Sequence, residues 1–373
     1  MKAQRFPWVM VVLMAVLLLV VGCGKGGSAG NQEEQTEGQA DPAETENMGQ
    51  ALLINGAGAS FPYPLYSHWI DEYRKSVSSV KINYQSIGSG AGIKQLSQKI
   101  IDFGGTDAPM SDEKMSQAPG EILHIPTVLG AVAVVYNLPD AGDNIKFTPE
   151  IVADIFLGKI DKWNDPGLVA INPGASLPDR EIMVVRRSDG SGTTNIFTDY
   201  LSKISDEWKE QVGRGTSVQW PTGIGAKGSE GLSRQVQATV GSIGYVEVSY
   251  ALLNKLSYGM IRNKSGQYIA PTLDSITAAA AGAAPDMPDD LRVSIVNPPG
   301  EKAYPISGYT YILVYREQED AAKGQALARF LWWCIHDGEK MAAELTYAPL
   351  PPEVVGRVEE KLQSMTSGGQ KIL

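Results

Sequence analysis

Cysteine is almost missing: 373 residues carry only Cys23 and Cys334. A disulfide framework needs an even set at recurring spacings, so this chain is not a stapled secreted scaffold. Histidine is nearly as scarce, with His68, His124 and His336 far apart in sequence. No CxxC, HExxH or clustered His/Asp pattern occurs, so neither a metal site nor a cofactor is expected. Positive charge is in deficit, 32 Lys+Arg against 42 Asp+Glu, for a formal charge of −10. Such a field opposes nucleic acid and acidic membrane surfaces, so no nucleic-acid partner is expected. Heptads and 20–50-residue repeats are absent, which excludes coiled coils and solenoids. The apolar run at 8–21 stops at 14 residues, short of the ~20 that a spanning helix needs.

That run, "WVMVVLMAVLLLVV", follows Lys2 and Arg5 and ends in "VVGC". A short positive start, an apolar core and a small residue before cysteine resemble the bacterial lipobox. On this reading 1–22 is a lipoprotein signal peptide, and Cys23 is lipidated and becomes the mature N-terminus. Residues 24–50 hold six acidic residues against one lysine and almost no apolar side chain. They cannot bury enough surface to fold, so 23–50 reads as a lipidated cysteine followed by a disordered acidic tether. Cys334 then has no partner; within "LARFLWWCIHD" it reads as a small buried hydrophobe in a helix.

From residue 51 onward short apolar runs alternate with helical stretches, the pattern of an α/β protein. Strands are expected in "ALLINGAGASF", "VKINYQSIGSGAG", "IDFGGTDAP", "HIPTVLGAVAVVYNL", "EIMVVRRSDGSGTT", "SIGYVEVSYAL" and "PISGYTYILVY". In "IKQLSQKI", Ile93, Leu96 and Ile100 share one helix face. "TPEIVADIFLGKI" carries Thr148 as N-cap, Pro149 in its first turn and Gly158 at its end. Four turns share a character: "GASF", "GSGAG", "GTDAP" and "RRSDGSGTT" each follow a strand. Any one of them could be mere punctuation. Together they could converge outside the carboxyl ends of strands, where open α/β sheets bind ligands. Helix N-termini there add partial positive charge without a full cation.

"RRSDGSGTT" has no lysine after its last glycine, so it is not the nucleotide-binding P-loop, and "DGSGT" is not the GxSxG nucleophile elbow. None of the three histidines lies in the four turns. A serine hydrolase or phosphatase using Ser191 would therefore lack a base, and no catalytic residue is assigned. For the serines and threonines the alternative role is helix capping; for the aspartates it is an Asx turn.

At "GAGASFPYPLY", "NYQSIGSGAGIKQL", "DFGGTDAPMSDEK", "IFLGKIDKWND", "VVRRSDGSGTT", "WPTGIGAKGSEG", "GSIGYVE" and "LPP", the chain resembles the phosphate-binding component of the phosphate ABC transporter, the PstS family. The likeness runs from about Leu53 to Pro352. It implies a two-lobed periplasmic-binding-protein type II fold, each lobe a central mixed β-sheet flanked by helices, with ligand in the interdomain cleft. Lobe 1 would comprise 51–130 plus 306–373 and lobe 2 residues 131–305, with crossings near 127–134 and 303–309. The family's ligand residues fall on Ser60, Phe61, Ser89, Asp107, Arg187, Asp189, Ser191, Gly192 and Thr193. The implied partners are inorganic phosphate, an ABC permease with its ATPase, and the membrane through Cys23. The protein is expected to be a monomer, not an enzyme, at the outer face of the cytoplasmic membrane.

Physical roles follow for these residues. Arg187 supplies one full cation with a planar donor fork. Arg186, its strand neighbour, points to the other face as a solvated or ion-paired residue. Hydroxyls and backbone amides complete the cage. Asp107 and Asp189 accept hydrogen bonds only, so a ligand must bring a proton; phosphate does near neutral pH and sulfate does not. Another oxyanion, such as sulfate, molybdate or a phosphonate, is the competing ligand on the same fold.

Overall fold

The computed structural model describes residues 51–283 and 287–373. The leader, Cys23 and the tether expected within 1–50 lie outside the described residues. The first strands and helices are β1 Leu52–Gly58, α1 Tyr63–Ser76, β2 Val80–Ser86, α2 Ser89–Ser97, β3 Phe103–Thr106, α3 Asp112–Ser116 and β4 Ile122–Tyr136. Then come β5 Lys146–Phe147, α4 Pro149–Leu157, α5 Pro166–Ile171, β6 Met183–Arg187, α6 Gly192–Ile204, α7 Asp206–Gln211, β7 Ile224–Ala226, α8 Gly228–Ala238, β8 Ser242–Glu247 and α9 Val248–Leu253. The last part holds β9 Ser257–Tyr258, β10 Met260–Arg262, β11 Tyr268–Ile269, α10 Leu273–Ala283, β12 Ser307–Tyr315, α11 Ala321–Cys334, α12 Glu339–Ala342 and α13 Pro352–Gln363.

One mixed sheet runs in the order β2-β1-β3-β12-β4-β8-β6-β7, and β9 also pairs with β4. The βαβ units at its two ends are parallel: β1 with β2 and β3, and β6 with β7 and β8. Between them β12 and β4 run antiparallel to their neighbours. The fold is therefore α/β with helices flanking a curled mixed sheet, as the alternation of apolar runs implies.

β4 is the element on which both halves of the sheet depend. Its 15 residues are all buried, so every side chain packs on both faces, as a central strand requires. Ile122 to Ala131 pair with β12, whereas Val132 to Tyr136 pair with β8. A second link lies beside it: Val132 donates to the Ile306 carbonyl at 2.8 Å, and the Tyr304 hydroxyl donates to the Val132 carbonyl at 3.0 Å. Opposite Pro126–Thr127 the β4–β12 register slips between Thr310 and Tyr311. A proline inside a central strand calls for such a bulge, because it has no N–H for the ladder.

Several local readings hold. Thr148 caps α4 by accepting from Ile151 N, and Gly158 ends it in the left-handed region at φ 77°. Cys334 is a free, fully buried thiol in α11. Others need correction. α2 stops at Ser97, so Ile100 leaves the helix face and is 62% exposed. "SIGYVEVSYAL" is a strand only to Glu247 and then turns into α9, because the Glu247 side chain accepts from Ser249 N and caps a helix. His336, within the helical "LARFLWWCIHD" of the sequence, falls just past the end of α11.

Glu247 sits opposite Val132, where β4 passes from one half to the other. Its Oε2 accepts from Ser249 N at 2.7 Å and from the Ser249 hydroxyl, while its Oε1 is buried with no partner among the described residues. Burial pushes its carboxyl up to about 8, partly offset by the Ser249 hydroxyl and amide and by Tyr347. The folded state thus binds a proton that the unfolded state has already released above its ordinary pKa of 4.5. Stability from this group falls as pH rises from about 4.5 to about 8. Glu247→Gln is expected to raise the melting temperature at pH 8 and to leave it nearly unchanged at pH 4, as checked by calorimetry at both values.

Candidate functional site

Four helix N-termini meet at the junction of the two half-sheets. Ser60 and Phe61 precede α1, Ser89 opens α2, Ser191 caps α6, and Gly228–Ser229 open α8. Each follows a strand, and each turn is built from small residues that allow close approach. The contacts between halves are direct. Gly192 N donates to Ser89 Oγ at 3.0 Å, and Gly90 N donates to the Gly190 carbonyl at 2.9 Å. Ser229 N donates to Ser60 Oγ at 3.2 Å, and the two hydroxyls lie 2.8 Å apart. Gly192 admits no side chain: a Cβ would sit 2.5 Å from Asp107 Oδ2 and 2.6 Å from Ser89 Oγ.

The structure brings the nine expected residues to this junction. Ser60, Phe61, Ser89, Asp107, Arg187, Ser191 and Thr193 are buried, Arg187 and Asp107 included. Ser191 Oγ accepts from Thr194 N at 3.1 Å, so its hydroxyl caps α6 and its expected role as a donor is shared with that duty. The Phe61 ring turns away, 6.3 Å from the Tyr347 ring and against Gly130. Its carbonyl accepts from Tyr347 at 2.7 Å, which leaves the backbone amide as its polar contribution.

Arg187 and Asp189 form a fork. Nε donates to Oδ1 at 2.8 Å and Nη2 to Oδ2 at 2.5 Å, while Gly228 N adds a bond to Oδ1 at 3.0 Å. Burial works against the Arg187 charge, but the hydrogen bonds and charge of Asp189 outweigh it and raise its pKa. Burial likewise pushes Asp189 up, yet Arg187 and the Gly228 amide hold its carboxyl below the ordinary range. The fork consumes two of the five guanidinium donors; Nη1 reaches Ser229 Oγ at 3.4 Å.

Sequence reasoning gives the two aspartates the same task, and the structure separates them. Both Asp189 oxygens accept from Arg187, and Oδ1 also from Gly228 N, so this carboxylate holds the guanidinium in place. Asp107 is the carboxylate with capacity left. Its Oδ1 accepts from Thr310 Oγ1 at 2.9 Å, whereas its Oδ2 is buried with no partner among the described residues, as is Thr193 Oγ1. Burial raises the Asp107 carboxyl to about 7 against the pull of Thr310, the Arg187 charge, Ser89 and the Thr193 amide. Buried polar atoms without partners are rare, and an acceptor and a hydroxyl left over beside helix N-termini fit a small anion that also donates.

Ser229, Tyr250 and Thr310 were not foreseen. Tyr250 donates to the Ser60 carbonyl at 2.7 Å and fixes the first turn from the other half. The signal for Ser229 was present, since "AKGSEG" is one more small-residue turn between a strand and a helix. Thr310, deep in an apolar strand, offered none. Arg186 also departs from expectation: it is half-buried beside Gly225, and its Nε has no hydrogen-bond partner among the described residues. It keeps partial contact with solvent and makes no ion pair among the described residues, where its strand pairs with β7 through Gly225.

The histidines serve elsewhere. His124 Nε2 accepts from Met110 N at 3.0 Å, with burial and the Arg292 charge pushing its pKa down to about 3. His336 pairs with Glu359, and His68 lies in α1. Among the described residues no cluster of three or more His, Cys, Asp or Glu could hold a metal, and no helix is long and apolar enough to cross a membrane.

Residues 29–334 match the PBP superfamily domain. A phosphate-binding protein PstS of Xylella fastidiosa is 43% identical over 350 residues, covering 94% of this chain and 95% of that one. One from Methanocaldococcus jannaschii is 35% identical, covering 91% of both. Among solved structures, a high-affinity periplasmic phosphate-binding protein with bound phosphate aligns at TM-score 0.67 and 21% identity, over 83% of this chain and 93% of that one. A phosphate-binding protein of Stenotrophomonas maltophilia aligns at TM-score 0.62 and 20% identity, over 83% and 94%. At such identities these two structures speak for the fold alone.

Gly192→Ala is expected to hold the two halves apart, because the new methyl meets Asp107 and Ser89. Small-angle scattering should give a larger radius of gyration than the parent protein. An unchanged radius would mean that the junction yields locally.

Proposed function

The chain belongs to the PstS family of phosphate-binding proteins, and on that premise we propose that it captures inorganic phosphate outside the cytoplasm and hands it to an ABC importer. Its partners in this reading are the permease subunits and their ATPase. It works as a monomeric binding protein without a chemical step, held at the outer face of the cytoplasmic membrane by a lipid on Cys23 and the acidic tether. Lobe 1 (51–130 and 306–373) and lobe 2 (131–305) close on the ligand because only the closed state offers contacts from both.

The observation that carries the reading is a buried carboxylate oxygen facing the cradle, Asp107 Oδ2, left without a donor among the described residues although donors surround it. Ser60, Ser89, Ser191, Thr193 and the amides of Phe61, Gly192 and Thr193 would donate to the anion. Arg187, oriented by Asp189, would supply the cation. Asp107 would accept the proton that phosphate carries. Sulfate brings none and meets a buried carboxylate of like charge. A charged hydrogen bond in a dry site contributes about 1.5–3 kcal/mol, so discrimination of tenfold to a hundredfold follows before repulsion is counted.

Isothermal titration at pH 8 should give tight phosphate binding that excess sulfate does not displace. Asp107 titrates near 7, so it is ionised at pH 8 and takes up a proton as pH falls through that value. Sulfate competition should therefore emerge below about pH 7. Strong sulfate competition at pH 8 would remove the reading. Arg187→Ala should weaken phosphate binding by roughly a hundredfold or more, since it deletes the cation and strands Asp189. Circular dichroism should confirm that this variant stays folded. Cys23→Ala should leave the precursor unlipidated, as mass spectrometry would show.

A further inference from the structure

We propose that Thr310 is a specificity-determining positioning residue: by donating to Asp107 Oδ1 it keeps that carboxylate an acceptor toward the ligand, and so enforces the exclusion of anions that carry no proton. The inference rests on the phosphate reading above and assigns part of its selectivity to a residue that would not touch the ligand.

The geometry is specific. Thr310 and Asp107 are both buried, and the Thr310 hydroxyl lies 2.9 Å from Oδ1. Thr310 stands at the β-bulge where β12 slips against Pro126–Thr127. Bulges re-aim side chains next to sites, and here the bulge is anchored. Thr127 Oγ1 donates to the Thr310 carbonyl at 3.3 Å and lies 2.8 Å from the Tyr66 hydroxyl. The Thr310 backbone is thus held from α1 through β4, and its hydroxyl has one acidic partner.

The charge balance around Asp107 makes this bond matter. Arg187 is the nearby cation, and Asp189 occupies its Nε and Nη2. Glu247 on β8, Tyr66 on α1 and Tyr84 on β2 are near enough to feel the Asp107 charge, and none of them can supply a positive one. Across the cavity that Asp107 borders, Arg292 is paired with Asp290 and Asp112, and Arg214 with Asp199. Burial pushes Asp107 toward its neutral form, and the Thr310 hydrogen bond heads the interactions that oppose it. Without that donor the proton stays on Asp107 to higher pH. A protonated Asp107 turns Oδ2 from acceptor to donor, which is what a fully ionised anion requires.

The test compares Thr310→Val, which keeps shape and removes the donor, with Thr310→Ser, which keeps the donor. Thr310→Ala replaces the valine variant if that one does not fold. Phosphate and sulfate are titrated against each protein from pH 6 to pH 9. Thr310→Val should move the pH at which sulfate begins to compete upward by about one unit, a tenfold change in the proton equilibrium of Asp107. Its phosphate-to-sulfate preference at pH 8 should fall by roughly tenfold, and Thr310→Ser should restore the parent profile. The same sulfate profile in Thr310→Val as in the parent would overturn the proposal. So would an equal shift in Thr310→Ser, which would mark a packing effect. A parent protein that ignores phosphate would remove the functional reading instead. The Asp107 carboxyl titration, followed by ¹³C NMR without ligand, would then still decide the role of Thr310: an unshifted midpoint in Thr310→Val refutes it.

Discussion

A single buried ion pair sets the terms for this site. Arg187 is the cation within reach of Asp107, and a lone guanidinium at that depth would be costly to keep charged. Asp189 offsets the cost through two parallel hydrogen bonds, and Gly228 at the start of α8 steadies Asp189 in turn. The result is a cation with its plane fixed and its excess charge nearly cancelled. With Asp107 ionised, the three charges sum to −1 before any ligand arrives. Attraction of an anion must therefore come from aligned N–H and O–H groups at helix starts rather than from net charge. This fits a protein whose formal charge is −10.

Much of this arrangement was legible in the sequence. The turns "GASF", "GSGAG" and "RRSDGSGTT" announce themselves because a helix start that must approach another backbone admits only small residues and hydroxyls. The same rule places Thr148 and Gly158 at the two ends of α4. Asp107 and Asp189 look alike in sequence, since each is an aspartate in a turn after a strand. What separates them is reach. Asp189 lies two residues beyond Arg187 and folds back onto it, whereas Asp107 faces Thr310, 203 residues away. No local pattern carries that partnership. Nor does periodicity show where β8 yields to α9, because Glu247 reads as one more polar residue until its carboxylate is seen to cap the helix.

The carboxyls near the junction divide by partner and by depth together, with Asp189 half-buried and Asp107 and Glu247 fully buried. Asp189 has a guanidinium and stays ionised; Asp107 has hydroxyls and amides and titrates near neutrality; Glu247 has Ser249 and Tyr347 and is pushed higher still. Hydroxyl and amide donors offset only part of what burial takes away, while a forked cation offsets all of it. The gradient runs from the Arg187 fork to the crossing of β4 and β8, over which the protein moves from fixed charge to groups that carry protons.

β4 gives the site a mechanical property of another kind. Ser89 and Gly192 meet although 103 residues separate them, and the half-sheets bearing them are pinned to the same 15-residue ribbon of backbone. Its ladder spacing acts like the indexed rail of an instrument stage. Neither half can slide along the rail without breaking the whole ladder on its side. Alignment of the two faces is thus inherited from peptide geometry, and the side chains at the junction are free to specialise in chemistry.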